Sequence, residues 1–199
     1  MDKKRMLGAV YSLGLKGRGA TAGAIAEQLG VDEADAEKEL GELVESGYLR
    51  SQRGRAVLTR KGRKSIKVVF IGGGFEVIHQ GHLYTIDRAK GLGDVLVVSV
   101  ARDSTIRRRK KREPVANEKE RVRLLASLRQ VDAAILGVEG DIYETLERVR
   151  PDVVALGYDQ YHLESEVAKE AAKRGIRLGV VRLDSPYPKV KTSALLRES

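Results

Sequence analysis

The residues best suited to chemistry in this chain are two histidines set close together. His79 and His82, two of only three histidines among 199 residues, flank Gly81 and follow a glycine run at 72–74. Glycines let a backbone approach a phosphate closely, and the N-terminus of a following helix offers free amides and a positive dipole end. The spacing lets both imidazoles face one anion. The stretch therefore predicts a phosphate-binding site.

Two other sites built on histidines or glycines fit this stretch less well. A metal site needs further ligands, and the chain has no cysteine and no third histidine nearby. A dinucleotide-binding fingerprint needs spaced glycines in the pattern GxGxxG, whereas these glycines are contiguous. A lone histidine is more often a packing residue, but a pair placed after a strand and a glycine run favours function.

The elements that must position the histidines follow from an alternation of apolar strands with amphipathic helices along residues 65–199. This pattern predicts an α/β domain with a doubly wound, five-stranded parallel sheet, in which ligands bind at the carboxyl ends of the strands. The histidines come shortly after the carboxyl end of the first predicted strand. Strands are predicted at 66–71, 95–100, 133–136, 153–156 and 177–182, with helices at about 81–90, 117–128, 142–148 and 163–174 and a short C-terminal helix.

Residues 1–64 follow a different pattern and predict a separate small domain. Its order of elements is typical of a winged helix-turn-helix. A glycine-containing basic stretch at 61–64 is interpreted as the linker to the second domain. Helices are predicted at 4–15, 21–29 and 32–46, followed by a hairpin with strands at 48–50 and 56–59.

The formal net charge of +9, from 37 Lys and Arg against 28 Asp and Glu, indicates an anionic partner. That partner is either a nucleic acid or a phosphorylated small molecule. The third helix, which would enter the DNA groove, carries seven carboxylates against Lys38 alone, and DNA affinity depends largely on neutralising phosphates. The charge placement therefore favours a phosphorylated small molecule and leaves nucleic acid as the lesser alternative, through the basic hairpin and linker.

The composition excludes several classes of protein. The 42% of apolar and 33% of charged residues are typical of a folded chain. No apolar run approaches the roughly 20 residues of a membrane span, so no membrane association is expected. The absence of cysteine excludes disulfides, thiolate zinc sites and cysteine nucleophiles, and it fits a reducing cytoplasm. No secretory signal is predicted at the N-terminus.

The histidine stretch resembles the GGxFDxxHxGH signature of the nucleotidyltransferase superfamily that includes the cytidylyltransferases. Within that superfamily, the GYDQ turn and the VARDST segment are most similar to those of the archaeal FAD synthases. The resemblance covers the predicted α/β domain. Its further blocks follow in the expected order at 100–105, 111–114, 120–121, 131–132, 157–160 and 191–197.

The resemblance implies in-line attack of a substrate phosphate on the α-phosphorus of a nucleoside triphosphate, with release of pyrophosphate and with Mg²⁺ as the assisting cation. For an archaeal FAD synthase the substrates are ATP and FMN. Two alternatives stay open. One is a cytidylyltransferase that uses CTP and a phosphorylated polyol or lipid head group, and the other is a nucleotide- or flavin-responsive transcription regulator. A homodimer is also left open.

The resemblance further implies roles for individual residues. Gly74 and Glu76 depart from the family pattern, which commonly has a hydroxyl residue and an aspartate there. The six basic residues at 107–112 are typical of a solvated loop, unless a lysine closes over the triphosphate. The implied catalytic residues are His79, His82 and Lys111; the implied nucleotide-binding residues are Gly73, Gly74, Phe75, His79, His82, Gly157, Asp159, Gln160, Thr192 and Ser193; Glu76, Asp103 and Arg112 are implied to bind the acceptor, and no residue is implied as a metal ligand.

Overall fold

The computed structural model describes residues 2–188. The chain divides into two compact units, the first at Met1–Lys67 and the second from Val68 onward. The predicted C-terminal helix lies outside the described residues, and so do Thr192 and Ser193, which are predicted to bind the nucleotide. Among the residues described, no helix is both long enough and apolar enough to span a bilayer.

The first unit contains the predicted three helices and hairpin, followed by a fourth helix that was not predicted. The basic stretch interpreted as a linker is this fourth helix. The Thr59 hydroxyl caps it by accepting a hydrogen bond from the Gly62 amide at 3.1 Å, and a Cβ on Gly62 would lie 2.1 Å from the Tyr48 carbonyl oxygen. The elements are α1 (Lys3–Leu15), α2 (Ala22–Leu29), α3 (Glu33–Glu45), β1 (Leu49–Gln52), β2 (Arg55–Leu58) and α4 (Arg60–Lys64).

The acidic helix α3 packs through a narrow apolar stripe. Ala36 and Leu43 are its buried residues, and its carboxylates lie at the surface. Asp32 caps the helix through a 2.8 Å hydrogen bond from the Ala34 amide. The face that a winged helix-turn-helix would present to DNA therefore carries concentrated negative charge.

The second unit is the predicted α/β domain, and its five-stranded parallel sheet confirms that prediction. The strand order is β5-β4-β3-β6-β7, with every neighbouring pair parallel. The strands are β3 (Val68–Gly73), β4 (Val95–Val100), β5 (Ala133–Leu136), β6 (Val153–Leu156) and β7 (Gly179–Arg182). The helices between them are α5 (Gln80–Lys90), α6 (Asp103–Lys110), α7 (Glu118–Ala126), α8 (Ile142–Val149) and α9 (Glu164–Lys173).

Helix α6 corrects the prediction that the basic run at 107–112 is a loop. Residues 107–110 form its last turn, and Lys111 ends it in a left-handed conformation with φ of 54°. Ile106 anchors the helix because its side chain is buried. Four cations at the carboxyl end of a helix also complement its dipole, and Asp103 does the same at the amino end.

Successive strands are added on one side of β3 up to β5 and on its other side from β6 onward, and β3 and β6 separate toward their carboxyl ends. β3 pairs with β4 at six positions, but with β6 only at Val69–Val153 and Phe70–Val154. Their carboxyl ends therefore diverge and leave a crevice. In open parallel sheets this switch point is where ligands bind.

Candidate active site

The glycine turn, which follows β3 and comprises residues 72–75, brings backbone and ring atoms into close contact. Gly73 has no room for a side chain, because a Cβ there would lie 2.9 Å from Cε2 of Phe75. Phe75 adopts a left-handed conformation with φ of 49°, and its side chain is buried. Gly74 is less confined, since the nearest atoms to a Cβ there lie 3.9 Å away. The hydroxyl residue common in the family would fit at this position.

His79 and His82 form a stacked pair at the amino end of α5. His79 is the N-cap residue, and the two ring centroids are 3.9 Å apart with an interplanar angle of 25°. The ring of Phe75 lies on His82 with a centroid distance of 5.2 Å. Both Nδ1 atoms are buried without a hydrogen-bond partner in the described part of the chain. A buried polar atom without a partner is costly, so the pair is suited to bind an anion.

Both imidazoles are held neutral near pH 7. Burial lowers the pKa of His82 to about 4, helped by the neighbouring His79 and opposed by the backbone of Val77 and by Asp159. Burial likewise lowers the pKa of His79, and Asp159 opposes the change. A phosphate placed against the rings would raise both pKa values, because an anion favours the charged form.

Glu76 has a fully buried side chain that is saturated with donors. Its carboxylate accepts hydrogen bonds from Lys110, from Arg112 at 2.7 and 3.1 Å, and from the Val115 amide at 3.4 Å. Burial alone raises the pKa of Glu76, but the hydrogen bonds from Arg112 and Lys110 outweigh it and lower that pKa. Glu76 and Arg112, both predicted to bind the acceptor, are therefore paired with each other in this structure.

The lysine that reaches the turn is Lys110, the neighbour of the predicted Lys111. Lys111 is exposed at the end of α6. Lys110 Nζ lies 3.9 Å from where a Cβ on Gly74 would be. The sequence does not distinguish the two lysines, since their order in the basic run depends on where α6 ends. The structure thus places Lys110, not Lys111, at the glycine turn.

Asp103, the third residue predicted to bind the acceptor, stands at the start of α6. Its Oδ1 accepts a 2.6 Å hydrogen bond from Arg121, which is buried. Its amide donates to Glu118 at 2.9 Å. Asp103 therefore connects α6 to α7.

The predicted GYDQ turn after β6 lies beside the glycine turn. Gln160 spans the crevice, because its Nε2 donates to the Gly72 carbonyl at 2.6 Å while its Oε1 accepts from the Gly157 amide at 3.1 Å. Asp159 is near enough to the histidines to act on their pKa values. Motifs about 80 residues apart in sequence thus meet at the switch point.

Arg182, which sequence reasoning missed, holds this turn from the end of β7. Its guanidinium donates to three carbonyl oxygens of the turn, those of Gly157 at 2.9 Å, Gln160 at 3.0 Å and His162 at 2.6 Å. It also pairs with Glu164 at 2.6 and 3.0 Å. The sequence signal was an arginine at the end of a predicted core strand, where a charged residue needs a partner.

A side cavity of about 460 Å³ opens from the glycine turn toward α6 and α8. Its wall includes the apolar side chains of Phe70, Ile106, Ile142 and Leu156. Its other lining residues include the cations Arg108, Arg109 and Lys110 and the aromatic residues Tyr143, Tyr161 and His162. The histidine pair lies outside this lining. The site thus has two parts, an anion site and an apolar cavity, which meet at the glycine turn.

No protein cluster for a metal ion is found within residues 2–188. No group of three or more His, Asp or Glu side chains there is close enough to hold a cation. The charged groups nearest the turn are instead Lys110, Arg112 and the carboxylate of Glu76 that they share. Of these groups, the two cations Lys110 and Arg112 are donors that suit phosphate oxygens.

Comparisons with known proteins identify the family of this chain. A family model described as cytidylyltransferase-like matches residues 70–198. The FAD synthase of Aciduliprofundum boonei is 49% identical over 115 residues, which is 58% of this chain and 76% of that protein. The FAD synthase of Methanothermus fervidus is 51% identical over 114 residues, or 56% and 78% of the two chains. The solved structure of the lipopolysaccharide core biosynthesis protein from Thermoplasma volcanium GSS1 has a TM-score of 0.58 and 42% identity, covering 60% of this chain and 98% of that one. The chain therefore belongs to the cytidylyltransferase-like family of nucleotidyltransferases.

Proposed function

We propose that this nucleotidyltransferase is an FAD synthase, which transfers AMP from ATP to FMN and releases pyrophosphate. The relatives named FAD synthase support this proposal. The observation that carries it is the joining, at one glycine turn, of an anion site with an apolar cavity. The first would take the triphosphate of ATP and the second the flavin of FMN.

The triphosphate would bind at the amino end of α5. The positive end of the helix dipole and the unpartnered Nδ1 atoms of His79 and His82 converge there. An oxygen of the FMN phosphate would attack the α-phosphorus in line, and the bond to pyrophosphate would break. No protein nucleophile is required, so the protein contributes alignment and stabilisation of the charge on the phosphate oxygens. Neutral imidazoles can do this by donating their N–H groups.

The side cavity fits the other substrate. Its volume lies within the range of small-molecule pockets, which are mostly apolar with a few placed polar groups. The apolar wall would contact the flavin ring, and Lys110 with Arg108 would face the phosphate end. A phosphorylated polyol has little apolar surface to place against this wall, whereas a flavin ring has a large one. The cavity therefore favours FMN over the polyol phosphate of the cytidylyltransferase alternative.

Mg²⁺ would enter with the nucleotide. Its ligands would be phosphate oxygens and water, as is usual for this ion, because no carboxylate cluster is found among the described residues. Bound there, the ion would neutralise charge on the triphosphate. The site residues themselves bind and orient the phosphates. We expect this reaction to take place in the cytoplasm, consistent with the absence of cysteine.

The first unit is proposed to be an accessory domain. A DNA-binding regulator would have to present α3 to phosphates, and the surface carboxylates of that helix oppose this. The histidine pair with its free nitrogens also argues for an enzyme, because a sensor does not need groups aligned for phosphoryl transfer.

The test is a matrix of substrates with the full-length protein and Mg²⁺. ATP or CTP is combined with FMN or glycerol 3-phosphate, and pyrophosphate and FAD are measured. We expect both products from ATP with FMN, and no pyrophosphate above background from CTP with glycerol 3-phosphate. Pyrophosphate release from the second pair, with none from FMN, would overturn the proposal in favour of a cytidylyltransferase.

A further inference from the structure

Arg121 is a buried charge that the proposed reaction does not use. It lies on α7, its side chain is 1% exposed, and it is the largest of the fully buried side chains. Its guanidinium donates to the carbonyl oxygens of Gly74 at 2.6 Å and Ala116 at 3.0 Å, and to Asp103 Oδ1 at 2.6 Å. We propose that Arg121 is a positioning residue that holds the glycine turn, and through it the histidine pair, in the geometry needed for phosphoryl transfer.

The bond to Gly74 matters because the next residue is strained. Phe75 has a positive φ of 49°, a conformation that costs a residue with a side chain free energy and persists only when its surroundings hold it. The Gly74 carbonyl belongs to the peptide that precedes Phe75, so fixing that oxygen fixes the peptide plane. The Phe75 ring, placed in this way, packs on His82, which stacks on His79.

The other partners of Arg121 hold its guanidinium in place and neutralise its charge. Asp103 supplies the countercharge, and a buried guanidinium without one would be strongly destabilising. Glu118 then accepts from the Asp103 amide and pairs with Arg102 at 3.1 Å. The network therefore joins the first turns of α6 and α7 to the glycine turn. Among the described residues, Arg121 is absent from the cavity lining, and its hydrogen bonds go to Gly74, Ala116 and Asp103, not to a histidine ring.

This inference rests on the proposed function for its kinetic test. Arg121→Gln and Arg121→Lys are compared with Arg123→Gln, which changes an exposed arginine on the same helix. We expect Arg121→Gln to lower kcat by about 10²-fold, because small misplacements of catalytic groups have effects of that size. The KM values for ATP and FMN should stay within about threefold of wild type, because Arg121 touches neither proposed subsite. Arg123→Gln should match wild type.

A second readout follows the histidine rings directly. NMR titration of ring protons in the full chain should show the pKa of His82 moving toward its ordinary value in Arg121→Gln, as the contacts with Phe75 and His79 loosen. Asp159 and Lys110, the other charged groups that act on His82, are unchanged in this variant. The pKa of His162, which lies in the loop between β6 and α9, should be the same in Arg121→Gln as in wild type.

The outcomes separate the two proposals. A folded Arg121→Gln with wild-type kcat and wild-type His82 titration overturns the positioning role, as does a rise in KM with kcat unchanged. Where Arg121→Gln does not fold, Arg121→Lys and Asp103→Asn decide, and wild-type kcat in both overturns the role. If the wild-type protein makes no FAD, the proposed function fails, but the His82 titration still tests the positioning of the turn.

Discussion

At the scale of single residues, the histidine pair joins features that rarely occur together. Two imidazoles stack at a helix N-terminus, both are held neutral by burial, and each has a buried nitrogen without a partner in the described structure. Such a pair gains more from a bound phosphate than from water, because the anion supplies both hydrogen bonds and charge.

Removing one ring should therefore affect turnover strongly. We expect His82→Ala to lower kcat by roughly two to four orders of magnitude while the protein stays folded. The matched control is Gln80→Ala, which changes an exposed side chain on the same first turn of α5. Steady-state rates of FAD formation check this, and a His82→Ala rate near that of Gln80→Ala would show that the reaction occurs elsewhere.

The low pKa of His82 predicts a pH dependence of stability. Between its folded pKa of about 4 and its ordinary value of 6.5, the unfolded chain binds a proton that the folded chain does not. His82 should therefore make stability fall as pH drops through this window, and its contribution to the slope approaches about 1.4 kcal/mol per pH unit. Urea unfolding from pH 5 to 7 measures the slope, and His82→Asn should reduce it. The lowered pKa of Glu76 acts below about 4.5, outside this range. An unchanged slope in His82→Asn would contradict the low pKa.

The sequence predicted which residues lie near the site better than it predicted the contacts that they make. The spacing of His79 and His82 was enough to bring them together, because a helix places residues three apart on one face. Lys110, the neighbour of the predicted Lys111, is the lysine at the turn, since the end of α6 decides which side chain faces it. Asp103 and Glu76 were predicted to face the acceptor, but each pairs with a cation that is distant in sequence.

At the scale of elements, two charged residues attach the loops of the site to the sheet. Glu76 holds the basic end of α6 through Lys110 and Arg112, and Arg182 holds the turn after β6. The sequence shows neither attachment, because both depend on contacts between elements that are far apart along the chain.

Glu76→Gln should loosen the basic end of α6 that Glu76 holds through Lys110 and Arg112. It leaves Lys110 and Arg112 without their shared countercharge, and we expect a loss of about 1–3 kcal/mol of folding stability. Glu113→Gln is the matched control, because Glu113 pairs with Arg107 at an exposed position where ion pairs contribute little. Thermal or urea unfolding of the two variants tests this, and equal effects would show that Glu76 is not a structural anchor.

Arg182→Gln should disturb the turn that carries Asp159 and Gln160. Three carbonyl oxygens lose their donor, and we expect the KM for ATP to rise by about tenfold, or about 1.4 kcal/mol of binding. Arg177→Gln, an exposed arginine shortly before β7, is the control. Steady-state kinetics at saturating FMN measures the change. An unchanged KM for ATP would remove this turn from the nucleotide site.

At the scale of the whole molecule, the alternation of strands and helices was sufficient to predict the sheet. Apolar runs ending in glycine or turn residues marked each strand, and all five are observed. Helices α4 and α6 were missed because α4 and the second half of α6 are runs of basic residues, in which no amphipathic pattern is visible. They form because Thr59 caps the first and buried Ile106 anchors the second.

The charges behind the net +9 are unevenly distributed along the chain. Cations concentrate on α6 beside the side cavity, while the helix that would read DNA is acidic. Deleting residues 1–64 should therefore leave FAD formation measurable. A folded truncation, checked by circular dichroism, that has no activity would show that the first unit takes part in catalysis.

The central claim is AMP transfer from ATP to FMN at the histidine pair, and an isotope label tests it most directly. The full-length protein is incubated with Mg²⁺, FMN and ATP labelled at the α-phosphorus, and the products are separated. We expect label to appear in FAD with wild-type protein, and its rate of appearance to fall sharply with His82→Ala. Label that stays in ATP, or that enters FAD equally fast with His82→Ala, would contradict it.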